Sequence, residues 1–243
     1  MTILGERLFT DDTRSLDRFG LLLFLTVASV TVASLVNVEV ASTGLGSFWR
    51  IMVSVIIGLT LIVSAGAAGV ARRPRMIINV VAIGGAVLAI LSVLGEQFLG
   101  SSMTGGYSVA RGIVWFLITA MTPIFVARRI AVHDRVTVQT LYGALAAFLL
   151  IAIAFNYGML VVDNVGPDPY FGQSESSTSF MYFSLVTITT LGYGDLAAKG
   201  DFGRYLATAE ALIGQVFLVT FVARLVSLYG KPPRENPQAS DAD

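Results

Sequence analysis

The stretch Thr187-Ile188-Thr189-Thr190-Leu191-Gly192-Tyr193-Gly194-Asp195 decides how this chain is read. Glycine reaches backbone angles closed to residues that carry a Cβ. With Gly192 and Gly194 alternating with Leu191 and Tyr193, the segment can run as an extended loop and turn a file of backbone carbonyls inward. Thr190, Leu191, Gly192 and Tyr193 offer those carbonyls, and the Thr190 hydroxyl adds an innermost oxygen. A Gly-Tyr-Gly tripeptide alone is a weak signal in a chain with 24 Gly and 8 Tyr, because short motifs gain meaning only from structural context. Here an apolar, helix-like run at residues 177–189 leads straight into it, and a complete apolar span lies on either side.

Composition sets the environment. Hydrophobic residues make up 55% of the chain and charged residues 13%, whereas about a quarter of an ordinary soluble domain is charged. The chain therefore belongs in a bilayer. Its 16 basic and 16 acidic residues cancel, so no global charge favours nucleic acid or another polyanion. The lack of cysteine excludes disulfides, thiolate metal sites and thiol catalysis. A lone His133 cannot build a histidine metal cluster, and no grouping of nucleophile, base and metal ligand suggests an enzyme. The opening residues, with Glu6, Arg7, Asp11, Asp12, Arg14, Asp17 and Arg18, are too charged for a cleaved signal peptide.

A helix crosses the hydrocarbon core with about 20 apolar residues. Six segments approach or exceed that length, at residues 19–38, 49–71, 76–95, 110–127, 137–162 and 202–229. The run at 177–189 is shorter and suits a re-entrant helix. Sorted onto alternate sides, most basic residues, among them Arg7, Arg72, Arg73, Arg75, Arg128, Arg129 and Lys231, fall on one face, and only Arg50, Arg111, Lys199 and Arg204 on the other. The positive-inside rule then puts both termini in the cytoplasm. The outward loop carries Asp163, Asp168, Glu175, Asp195 and Asp201, a set that can gather cations.

The run through Thr187, Thr189 and Thr190 to Asp195 resembles the selectivity filter of the tetrameric potassium channels, with Leu191 in the place of a valine. That resemblance implies an all-α membrane protein: six transmembrane helices plus a re-entrant pore helix and filter loop per chain, assembled with three further copies as a four-fold homotetramer. Rings of oxygens from Thr190, Leu191, Gly192 and Tyr193 would replace the hydration shell of K+, the permeant ion, with Gly194 completing the filter; no other cofactor is implied. Residues 177–189 would form the pore helix, capped by Ser174 or Ser176, with its C-terminal partial negative charge aimed below the filter. Filter support is expected from Asp195, Tyr182, Phe183, Thr187 and Thr189. Many family members carry a pair of tryptophans where this chain has Tyr182 and Phe183. The Tyr182 hydroxyl can bond Asp195; Phe183 has no donor, and plain packing is its alternative.

Phe202, Gly203 and Arg204 resemble the start of the family's inner helix, and Gly214 falls at its common gating hinge. Glycine weakens a helix by about 1 kcal/mol relative to alanine, while close packing by a small residue is the competing reading. Phe217, Thr220, Phe221 and Arg224 are candidates for a cytoplasmic constriction. Glu210 lies inside the sixth span, where an ionisable residue is a functional suspect; a hydrogen bond to a nearby Ser or Thr behind the filter is the simpler alternative.

Four spans before a pore unit resemble the voltage-gated-like architecture by topology only. Gating charge is worth about 2.3 kcal/mol per elementary charge per 100 mV, so a sensor needs several. The fourth span has Arg111 at one end, Arg128 and Arg129 at the other, and Pro123 within. Little charge can cross the field. Domains are expected at 1–18 (cytoplasmic segment), 19–133 (voltage-sensor-like), 134–230 (pore) and 231–243 (disordered tail), in a prokaryotic plasma membrane. Arg72, Arg73 and Arg75 can meet anionic membrane lipids. The expected function is passive, potassium-selective conduction with weak or no voltage gating. The alternatives are a poorly selective or silent subunit, and a secondary transporter, which would need internal repeats that the chain lacks.

Overall fold

The computed structural model describes residues 19–35, 105–132 and 138–228, together with isolated positions between 52 and 91. Five helices fall within these residues: α1 (Phe19–Leu35), α2 (Gly105–Val132), α3 (Val138–Val165), α4 (Ser177–Ile188) and α5 (Asp201–Leu228). The expected segments 1–18 and 231–243, most of the spans at 49–71 and 76–95, and the cluster Arg72, Arg73 and Arg75 lie outside the described residues.

α3 and α5 are long and apolar enough to cross a membrane, α3 over its whole length and α5 as far as Arg224. Each has 28 residues, about 42 Å at 1.5 Å rise per residue. α1, α2 and α4 add shorter apolar stretches. The described residues are thus mostly helical, with two candidate membrane-spanning helices. α2 begins at Gly105, ahead of the expected residue 110, and continues through Pro123 to Val132.

α3 is the hub, and its sequence explains why. Its buried face includes Gly143, Ala144, Ala146, Ala147, Ala152, Ala154 and Gly158, beside Leu150, Ile151, Ile153 and Met159, and the small residues let neighbouring helix backbones close in. Phe19 of α1 packs against Gly143, where a Cβ would come within 2.9 Å of its ring. α2 runs antiparallel along α3: Gly112 meets Val161, Phe116 meets Gly158, and Trp115 stacks on Tyr157. α5 is antiparallel to it as well, with Leu206 near Gly158 and Phe217 beside Phe148. α3 ends where the Gly166 amide donates to the Val162 carbonyl at 2.8 Å and Pro167 follows, which has no amide hydrogen to continue the ladder.

Candidate functional site

α4 starts on a cap that the sequence supplies. Ser176 is extended (φ −71°, ψ 155°), and its hydroxyl oxygen accepts from the Ser179 amide, satisfying one of the free donors of the first turn. Ser179 in turn donates to the Glu175 carboxylate at 2.9 Å. Of the two candidate caps, Ser176 is the one used.

The C-terminus of α4 turns into the strand at residues 190–195 through a specific motif. The Thr190 amide donates to Thr187 O at 3.0 Å and the Leu191 amide to Val186 O at 2.9 Å. This pair of bonds is the Schellman arrangement, which requires a left-handed residue at the first position beyond the cap. Thr190 occupies it with φ +56°. Glycine usually fills that position, so a left-handed threonine here was not legible beforehand. Gly192 (φ +57°) and Gly194 (φ +80°) follow, and the left-handed residues therefore alternate with Leu191 and Tyr193. Alternation of this kind lets successive carbonyls share one side of a strand. Among the described residues, the carbonyls of Thr190, Leu191, Gly192 and Tyr193 accept no hydrogen bond, and no backbone–backbone bond holds the amides of residues 192–198.

The side chains around this strand divide sharply. Tyr182 donates its hydroxyl to Asp195 at 2.8 Å, and its ring lies parallel to that of Tyr193, with centroids 6.3 Å apart and planes 4° from each other. Thr189 donates to Leu185 O at 2.6 Å, and Thr187 lends its carbonyl to the Schellman turn. Phe183 instead points into an aromatic cluster with Tyr170 and Phe171, at 6.2 and 5.2 Å between centroids. Its role is packing, the alternative that the missing donor left open. Leu191 and Tyr193 remain 56% and 66% exposed in the single chain.

The aromatic cluster anchors the loop ahead of α4. Tyr170 donates its hydroxyl to Gly203 O at 2.8 Å, its amide bonds Asp163 at 2.8 Å, and its carbonyl accepts from the Lys199 amide at 3.0 Å. Burial pushes the Tyr170 hydroxyl well above the usual phenol range, so it stays a donor at any physiological pH. Tyr170 thereby ties the loop ahead of α4 to α3, to α5 and to Lys199.

Behind the strand, α4 is held by α3 and α5. Fully buried Ser184 lies 2.8 Å from the Ala152 carbonyl and is hydrogen-bonded to Glu210, itself fully buried. One turn further along both helices, Gly214 faces Ile188 so closely that a Cβ would lie 2.5 Å from its Cγ1. α5 is continuous through this glycine, and the contact with Ile188 is one of close packing. Close packing at Gly214 was one of the two readings of the sequence; that Ile188 is its partner was not legible, since an isoleucine is ordinary in an apolar helix.

The remaining gating candidates lie on one flank of α5. Phe217, Thr220, Phe221 and Arg224 line a cavity of about 720 Å³ that α2 and α3 close with residues such as Pro123 and Phe155. Phe217 also packs on Phe148 with centroids 6.3 Å apart. Phe217, Phe221 and Arg224 are half-buried there, whereas Thr220 is exposed. At 100° per residue, Gln215, Leu218, Val222 and Val226 stand on the roughly opposite flank and are exposed. Arg111, Arg128 and Arg129 belong to α2, but their side chains lie outside the described residues.

Residues 144–231 match the family model described as ion channel. The matched region holds α4, the strand at residues 190–195, α5 and most of α3, and it supports an ion channel. No curated protein matches the chain.

Proposed function

We propose that this ion-channel region forms a potassium-selective pore, one quarter of which is contributed by each of four identical chains. The observation that carries the reading is the strand from Thr190 to Tyr193: its carbonyls have no hydrogen-bond partner among the described residues, and left-handed residues punctuate it at every second position. Oxygens left free in this way can replace the hydration shell of a dehydrated K+, provided that other strands complete the ring. One strand cannot encircle an ion, and the chain carries a single copy of the motif. Non-helical backbone at membrane depth is tolerated where it lines a watery cavity. The oxygens of Thr190, Leu191, Gly192 and Tyr193 take the ion; Tyr182 and Asp195 steady the outer end; no catalytic step is involved.

The pore-lining flank of α5 in this reading is Gln215, Leu218, Val222 and Val226, which are exposed, because Phe217, Phe221 and Arg224 are half-buried on the flank beside α2 and α3. Apolar side chains at a narrow point shut a pore by dewetting, so Leu218, Val222 and Val226 are the constriction. The organisation is a peripheral unit at 19–133 and a pore unit at 134–230, in a plasma membrane with both termini cytoplasmic. Voltage dependence is weak, since α2 carries no basic residue between Arg111 and Arg128.

The test is ion flux through purified protein in liposomes. K+ should pass far better than Na+, and Gly192→Ala, which places a Cβ on a residue at φ +57°, should abolish the preference. Equal permeability of the unaltered protein to both ions would refute selectivity; steep activation carrying several elementary charges would refute weak voltage dependence.

A further inference from the structure

The contact behind the filter strand has one hydrogen too few if Glu210 is ionised. Ser184 Oγ is within hydrogen-bond distance of the Ala152 carbonyl oxygen and of Glu210 Oε1. A carboxylate and a carbonyl are both acceptors, and a serine hydroxyl carries a single proton. Both side chains are fully buried, and Glu210 Oε2 has no partner among the described residues. An ionised carboxylate left half-unsatisfied at such a site is strongly disfavoured. One hydrogen order satisfies every contact: the Glu210 acid donates to Ser184 Oγ, and Ser184 donates onward to the Ala152 carbonyl.

We infer that Glu210, as a neutral acid, is the positioning residue that clasps the filter-bearing end of α4 between α3 and α5, so that potassium passage depends on the hydrogen it donates and not on a charge. The inference rests on the channel reading for its effect on flux. The clasp spans three helices through Ala152, Ser184 and Glu210, and the Ile188–Gly214 contact repeats the α4–α5 register one turn onward. α4 is thereby held to α5 at two successive turns just before the chain leaves the helix at Thr189. A shift of α5 at this level is transmitted to the strand that carries the free carbonyls.

The experiment uses the full chain in liposomes, with two readouts. Infrared difference spectra between the unaltered protein and E210Q should contain a carboxylic-acid C=O band that E210Q lacks. Gln offers an N–H donor in the same place, so E210Q should keep K+ flux within about twofold. E210M, of similar shape without a donor, and S184A, without the acceptor, should each lose about tenfold, the upper end for one neutral hydrogen bond. Their double mutant should lose no more than either alone, as groups in one network are non-additive. The inference is overturned if the acid band is missing from the unaltered protein, if E210Q loses flux as E210M does, or if E210M keeps it. Should E210M fail to assemble, the band and the E210Q flux still decide. Unaltered protein that shows the band but passes no K+ would sink the channel reading while leaving the protonated clasp in place.

Discussion

α3 and α5 have the same length, 28 residues, and both are apolar enough to cross a bilayer, yet only one is covered by its own chain. In its most apolar stretch α3 has 56% of residues buried, and α5 has 11%. The difference lies in side-chain size. α3 presents alanines and glycines that admit α1, α2 and α5 to close range, whereas α5 leaves Leu212, Val216, Leu218, Val219 and Val222 exposed. A helix of small residues is the centre of one chain; a helix of large branched residues left uncovered has surface for lipid, for further copies or for a pore. The exposed Leu191 and Tyr193 side chains of the filter strand share that condition.

The sharpest way to break this contrast is to place one carboxylate on each helix. Ala147 of α3 is fully buried among Phe19, Leu22 and Val126, so Ala147→Asp should cost several kcal/mol, the effective penalty for an unpaired buried charge. It should yield no folded protein by thermal melting in detergent. Leu218→Asp, on the uncovered flank of α5, should leave the single chain folded and alter conduction instead. If both variants fold equally well, the contrast between the helices is not one of burial.

A smaller effect is expected where the two helices meet α4. Gly214→Val would drive its side chain into Ile188 Cγ1 and toward the Ile188 carbonyl, which lies 3.3 Å from the nearest Cβ position. Overpacking of this kind costs about 1–3 kcal/mol. The variant should melt at a lower temperature and pass less K+; Gly214→Val with unaltered flux would show that the α4–α5 contact does not position the strand.

Much of this architecture was legible in the sequence. The apolar segments at 137–162, 177–189 and 202–229 correspond to α3, α4 and α5 within a few residues, because length and hydropathy alone set a spanning helix. Gly192 and Gly194 advertised their left-handed backbone, but Thr190 did not, since the Schellman turn that demands it becomes visible only through Val186 and Thr187. A Ser or Thr partner for Glu210 was foreseeable, though not that Ser184 is the one. The rotation of α5 was hidden for a plainer reason: an almost uniformly apolar helix has no polar face from which to tell that Phe217 and Phe221 turn inward to the chain and Leu218 and Val222 outward.

The start of α4 offers a milder test. Ser176→Ala removes the oxygen that accepts from the Ser179 amide, a loss of about 1 kcal/mol for a typical cap. The expected result is a modest drop in Tm with the K+ preference intact, because the opposite end of α4, tied by Ser184 and Ile188 to α3 and α5, sets the strand. A selectivity change in this variant would mean that α4 moves as a unit and that its two ends are not independently fixed.

The smallest effect on stability should come from Tyr182→Phe, and it separates the buried support of the strand from the exposed one. Phenylalanine keeps the ring that lies parallel to Tyr193 and removes only the hydroxyl that donates to Asp195. That bond is exposed to solvent, so water can replace it, and folding and melting should be unchanged. Asp195 follows directly on Gly194, and the strand has no backbone partner of its own between residues 192 and 198. Loss of the tether should therefore appear as faster decay of K+ current when external K+ is low, when fewer ions hold the strand open. If the decay is unaltered while Glu210→Met lowers flux, support of the strand comes from behind it, through α5, and the outer tyrosine serves only to pack.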